Sequence, residues 1–164
     1  MKSKLFKSLF QTDSAEMLYV HVAPSIDVVN SVLQSGFYYD DIFQKTTDQL
    51  LNSESTFDYW LYQRRAYGNY AIVFGFDKGM ISQVKKHIQT TGRHIELQNL
   101  ISYSIPESHS PIEGENIHCL PSMYVKGWFK LSDFSWNASL NYCPAAFPST
   151  LVPVFKEQEA LDSY

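Results

Sequence analysis

Apolar residues recur along this chain in two rhythms. "MLYVHV" (17–22) and "YAIVFGF" (70–76) are short runs of β-branched and aromatic residues, which predict strands over 18–22 and 70–76. Ile26, Val29 and Leu33 recur at helical spacing, and Val28 and Val32 widen the stripe, predicting a helix over 25–35. Ser25 is placed to cap it, Asp27 lies in its positive first turn, and Gly36 stands where a left-handed residue closes a helix. Ile81, Val84 and Ile88 predict another helix over 79–90, ended by Gly92. Residues 40–66 are polar and read as helical in part, with "TFDYWLYQRRAYG" as an amphipathic portion. "HIELQNL" and "ISYSI" read as short strands, "PESHSPIEGEN" as a polar loop, and "IHCLPSMYVKGWFKL" as strand, proline turn, strand.

This mixed order predicts an α+β fold, since a doubly wound sheet would alternate strand and helix regularly. The organisation expected is an N-terminal amphipathic segment (1–15), one domain (16–144), and a tail or wrapping arm (145–164) with prolines and an acidic end. Leu5, Phe6, Leu9 and Phe10 share one helical face, which is expected to pack on the domain in preference to a membrane.

Composition narrows the function classes. The 164 residues suffice for one domain with a substantial core, and 45% hydrophobic against 18% charged residues excludes disorder over most of the length. A net charge of −4 with arginine only at Arg64, Arg65 and Arg93 argues against non-specific binding of duplex nucleic acid, which rests on phosphate neutralisation. No apolar run is long enough to cross a membrane, and the N-terminus lacks the continuous apolar stretch of a signal peptide, so a cytoplasmic location is expected, or delivery into a target cell without a conventional signal. Cys119 and Cys143 lack metal-ligand spacing and read as two reduced thiols. "NAS" at 137–139 matches a glycosylation acceptor, which carries no weight without secretion.

Three features carry candidate chemistry. His21 ends the first strand beside a helix N-terminus, where it is either a tied-down core residue or the wall of a nucleotide pocket. Tyr38 and Tyr39, then Tyr59, Trp60, Tyr62, Tyr67 and Tyr70, supply flat rings able to clamp a planar heterocycle or to fill a β-rich core. "EGEN" at 113–116 brings Glu113 and Glu115 just before a strand, where alternate carboxylates face opposite ways.

Taken in order, a strand ending in His21, the helix "APSIDVVNSVLQSGF", the strand "YGNYAIVFGF" and the late "EGENIHCLPSMYVKGW" resemble the ADP-ribosyltransferase superfamily over roughly residues 17–130. No Ser-Thr-Ser motif stands on the central strand, so the histidine-tyrosine-glutamate branch, of bacterial toxin or effector type, is the nearer one. Ala23 departs from the family, which usually has a glycine or small hydroxyl two residues after the histidine. The resemblance implies a compact split of two small antiparallel sheets flanked by helices, and NAD as substrate. It implies Glu115 as catalytic glutamate and Glu113 as its upstream partner. His21 would meet the ribose of NAD, Tyr67 and Tyr70 would stack on the nicotinamide, and Val22 and Tyr38 would also belong to the NAD-binding residues. The implied partners are a protein or nucleic-acid acceptor and an antitoxin or host protein. Two alternatives stay open: a non-catalytic nucleotide- or protein-binding module on the same scaffold, and transfer of an RNA 2′-phosphate to NAD, which the scarcity of basic residues disfavours. The reaction class needs no metal.

Overall fold

The computed structural model describes residues 2–10, 15–40, 42–90, 101–104 and 117–147. In chain order the elements are α1 (Lys2–Leu9), β1 (Glu16–Ala23), α2 (Ile26–Ser35), β2 (Phe37–Asp40), β3 (Asp48–Leu50), α3 (Glu54–Arg64), β4 (Tyr70–Asp77), α4 (Lys78–Thr90), β5 (Tyr103–Ser104), β6 (Ile117–Leu120), β7 (Val125–Lys130) and β8 (Trp136–Ala138). Short 3₁₀ turns stand at Phe43–Lys45 and Ser122–Tyr124. The protein is α+β, with a five-stranded antiparallel sheet ordered β3-β1-β4-β7-β8 and a three-stranded antiparallel sheet ordered β2-β6-β5.

The larger sheet is covered on both faces, which explains why its central strand reads as an unbroken apolar run. Successive side chains of a strand point to opposite faces. Accordingly Ile72, Phe74 and Phe76 of β4 join one core with Tyr19 and Ala23 of β1, Val29 and Val32 of α2, Phe37 and Tyr39 of β2, and Met80 and Val84 of α4. Ala71 and Val73 turn the other way, to meet Leu18 and Val20 of β1, Leu5 and Leu9 of α1, and Phe57 and Trp60 of α3. The N-terminal helix therefore packs on the domain, Leu5 and Leu9 being 1% and 2% exposed. Complete burial of such a leucine is worth about 2 kcal/mol.

Local signals explain the helix ends. The Ser25 hydroxyl accepts from the Val28 N–H at 3.4 Å, and Gly36, at φ +91°, donates its N–H to the Val32 carbonyl. An added Cβ at Gly36 would come within 2.6 Å of the Leu120 carbonyl oxygen, so the position needs glycine twice over. An oxygen of the Asp77 carboxylate accepts from the Met80 N–H at 2.9 Å and starts α4 directly from β4. The segment after β8 clasps the domain. Cys143 N–H donates to the Met123 carbonyl at 2.7 Å, Asp77 N–H to the Pro144 carbonyl at 3.0 Å, and the buried Tyr124 hydroxyl to the Ala146 carbonyl at 2.7 Å. Among the described residues no helix is long and apolar enough to cross a membrane, and neither cysteine is in a disulfide, Cys119 being buried and Cys143 exposed.

Candidate functional site

Strand alternation sends His21 toward the core between the two sheets, at the end of β1 where that core opens. Its ring lies 4.8 Å from Phe37 of β2, and its Nδ1 is 2.7 Å from the Thr46 carbonyl oxygen. A carbonyl only accepts, so Nδ1 carries the proton and donates it. Burial holds the imidazole below its ordinary titration range, against the opposing pull of the Thr46 bond and of Asp48. The neutral ring thus presents Nε2 as a lone-pair acceptor.

Two hollows flank this residue, and His21 and Thr46 line both, so their hydrogen bond stands in the partition. The larger, about 410 Å³, lies toward α2, where Asp27, Ser31, Gly36 and Tyr38 contribute to its walls. The smaller, about 210 Å³, lies toward the end of α3, where Val22, Lys45, Asp48, Arg64 and Tyr67 line it. Each hollow therefore owns one partly exposed tyrosine, Tyr38 at 49% and Tyr67 at 65%.

The smaller hollow is built on an anchored ion pair. Trp60 and Arg64 are one helical turn apart on α3 and both reach Asp48, at the start of β3. Arg64 Nε and Nη2 donate to the two carboxylate oxygens at 2.8 and 2.9 Å, and Trp60 Nε1 donates to one of them at 3.1 Å. The bidentate geometry fixes the guanidinium plane. The Tyr67 ring lies beside it, 5.6 Å from the guanidinium carbon.

The residues singled out from the sequence are thus distributed unevenly. His21 and Val22 share the smaller hollow with Tyr67, and His21 shares the larger with Tyr38. Tyr70 is placed elsewhere, its ring 5.9 Å from Trp128 and packed against the core. Tyr39 is a core residue whose hydroxyl donates to Ser102 Oγ at 2.6 Å. Glu113 and Glu115 lie outside the described residues. The first described position after them, Ile117, pairs with Asp40, whereas His21 meets the β2–β6 ladder at its other end, where Phe37 pairs with Leu120. Sequence reasoning missed Thr46, Asp48 and Arg64. Their one legible signal was the i, i+4 spacing of Trp60 and Arg64, which puts an indole N–H and a guanidinium on one helix face.

No protein-family model, curated protein or solved structure matches this chain.

Proposed function

We propose that the chain is an NAD-dependent mono-ADP-ribosyltransferase, cleaving the bond between nicotinamide and ribose and transferring ADP-ribose to a macromolecular acceptor. The observation that supports this best is His21, a neutral imidazole with Nε2 available, standing between two tyrosine-flanked hollows. A dinucleotide laid across that partition would set a ribose against the imidazole, with one ring system in each hollow. The ribose hydroxyl donates to Nε2 in this reading, and Tyr38 and Tyr67 offer faces to the heterocycles. Cleavage develops positive charge on the ribose, as in glycoside hydrolysis. The Glu115 carboxylate is assigned to hold the 2′-hydroxyl and stabilise that charge, with Glu113 orienting the acceptor side.

The decisive experiment incubates the protein with NAD labelled in its adenylate half, following free nicotinamide and label on added acceptor proteins and RNA. Nicotinamide release should fall about 100-fold in Glu115→Gln and by a similar factor in His21→Ala, both variants remaining folded by circular dichroism. Undiminished release in folded Glu115→Gln would end the assignment. NAD binding with no release would leave the non-catalytic binding module in its place.

A further inference from the structure

The outward side of α3 carries chemistry that neither the core nor the His21 hollows use. A surface helix ordinarily turns polar side chains to water, yet Tyr59 and Tyr62, one turn apart, are 63% and 68% exposed. Packing does not account for them, because the core takes Phe57 and Trp60 from the opposite side of the same helix. The Arg65 guanidinium lies 4.8 Å from the centroid of the Tyr62 ring. A guanidinium held over a ring face can still offer its N–H groups to a carboxylate.

Beside this pair opens a hollow of about 620 Å³ with Leu61, Leu131 and Phe134 among its lining and Lys2, Asp58 and Arg65 at its rim. Phe134 has φ +58°, a left-handed backbone that costs a bulky residue energy and that glycine or asparagine would adopt more easily. The turn holding it is tied by the Phe134 N–H to the Lys130 carbonyl at 2.8 Å and by the Ser135 N–H to the Asp133 carboxylate at 3.0 Å. The ring it presents packs partly on the core and partly lines the hollow.

We infer that this face of α3 is a docking site for a protein segment that offers one apolar side chain next to carboxylates. Leu61, Leu131 and Phe134 take the apolar anchor, and Arg65 takes a carboxylate. Lys2 is held by Asp58 at 2.8 Å with both side chains about half exposed, a pairing that solvent screening keeps weak. Rigid, amphipathic tyrosines with arginine are what protein-binding surfaces concentrate. A nucleic acid would need phosphates neutralised along its length. Here the adjacent Arg64 is committed to Asp48, so it does not extend the basic surface beyond Arg65. The site is independent of the NAD reading, and its test never passes through catalysis.

The test selects a phage-displayed library of random short peptides against the full chain, then measures the most enriched peptide by fluorescence anisotropy. The enriched sequences should pair an aromatic or aliphatic residue with Asp or Glu. Tyr62→Ala and Arg65→Glu, both at exposed positions, should each weaken binding about tenfold or more. Replacing the peptide's acids by lysine should restore binding to Arg65→Glu. No enrichment over a folded control protein, a basic consensus, or affinities unchanged in both variants would overturn the inference. So would binding of a poly-uridine oligonucleotide that the same two substitutions abolish while peptides fail to bind.

Discussion

Gly75, in the middle of β4, has an unusual neighbour, and the substitution Gly75→Ala isolates it. A Cβ built at this position would lie 1.9 Å from the Tyr142 hydroxyl oxygen and 2.8 Å from the carbon that bears it. The tyrosine ring is rigid and has little room to retreat. Its chain neighbours are tied down, Cys143 N–H to the Met123 carbonyl and the Pro144 carbonyl to Asp77 N–H. Relief therefore requires the loss of at least one backbone hydrogen bond, or a shift of β4 within a sheet whose core positions are closed. Either route costs about 1–3 kcal/mol, the usual range for overpacking. For a chain of this size that corresponds to a Tm lower by roughly 3–10 °C. The companion change, Tyr142→Phe, removes a buried hydroxyl that makes no geometrically sound hydrogen bond. Burial pushes its titration upward, and Glu16, paired with Lys126 at 2.6 Å, adds to that shift. Removing it should leave stability unchanged or raise it by about 1 kcal/mol. Urea denaturation of both single variants and the double variant closes a cycle, and the double should lose at least 0.5 kcal/mol less than the two singles added together, a threshold of about the scatter of additivity. Additive effects, or a Gly75→Ala cost within that scatter, would refute the close approach of the ring to β4.

Other expectations follow from single groups. His21 titrates below its unfolded value, so the unfolded chain binds the proton more readily. Its contribution to stability is complete above about pH 6.5 and is lost as pH falls through the folded pKa. Thermal melts from neutral to mildly acidic pH should show that loss reduced in His21→Asn, and an unchanged pH profile would contradict the buried, neutral assignment. Tyr39→Phe deletes the buried donor to Ser102 at 2.6 Å and should cost about 1 kcal/mol in urea, part of it recovered by adding Ser102→Ala. Asp48→Asn breaks the bidentate pair with Arg64. Because both side chains are about a third exposed, at 37% and 35%, solvent screening limits the cost to about 1 kcal/mol by denaturation. A loss several times larger would mean that the pair supports more of β3 than its contacts indicate.

The elements with a strong period were legible in the sequence. The apolar run of β4, the Ser25 cap, the Gly36 stop of α2 and the helix after Asp77 all rest on interactions within a few residues, and the structure has them. β2, β3 and β8 escaped notice because strands of four, three and three residues are too short to display alternation. The partners of β2 and β3, which are β6 and β1, are moreover far away in sequence. That explains the division of Tyr38 and Tyr39. Read as a pair they suggest one aromatic clamp, but inside β2 the period of two sends Tyr39 to the core and leaves Tyr38 half exposed. α3 was legible as a helical segment, but aromatic residues on both its sides hide which face is buried.

The chemistry of His21 was ambiguous in the sequence because an imidazole is both donor and acceptor, and the choice lies with a neighbour 25 positions away. Thr46 makes that choice. Its carbonyl claims the ring's proton, burial discourages a second, and Nε2 is left able only to accept. A ligand that bonds to this histidine must therefore bring a donor. A ribose hydroxyl does so, whereas an ionised phosphate oxygen does not. The same asymmetry weakens the 2′-phosphate transfer alternative from a direction separate from net charge, because a phosphate-recognising histidine would need the second proton that burial withholds. A ring protonated at both nitrogens at neutral pH, visible in nitrogen-15 NMR of the imidazole, would reverse that selection and with it the case for a ribose at this position.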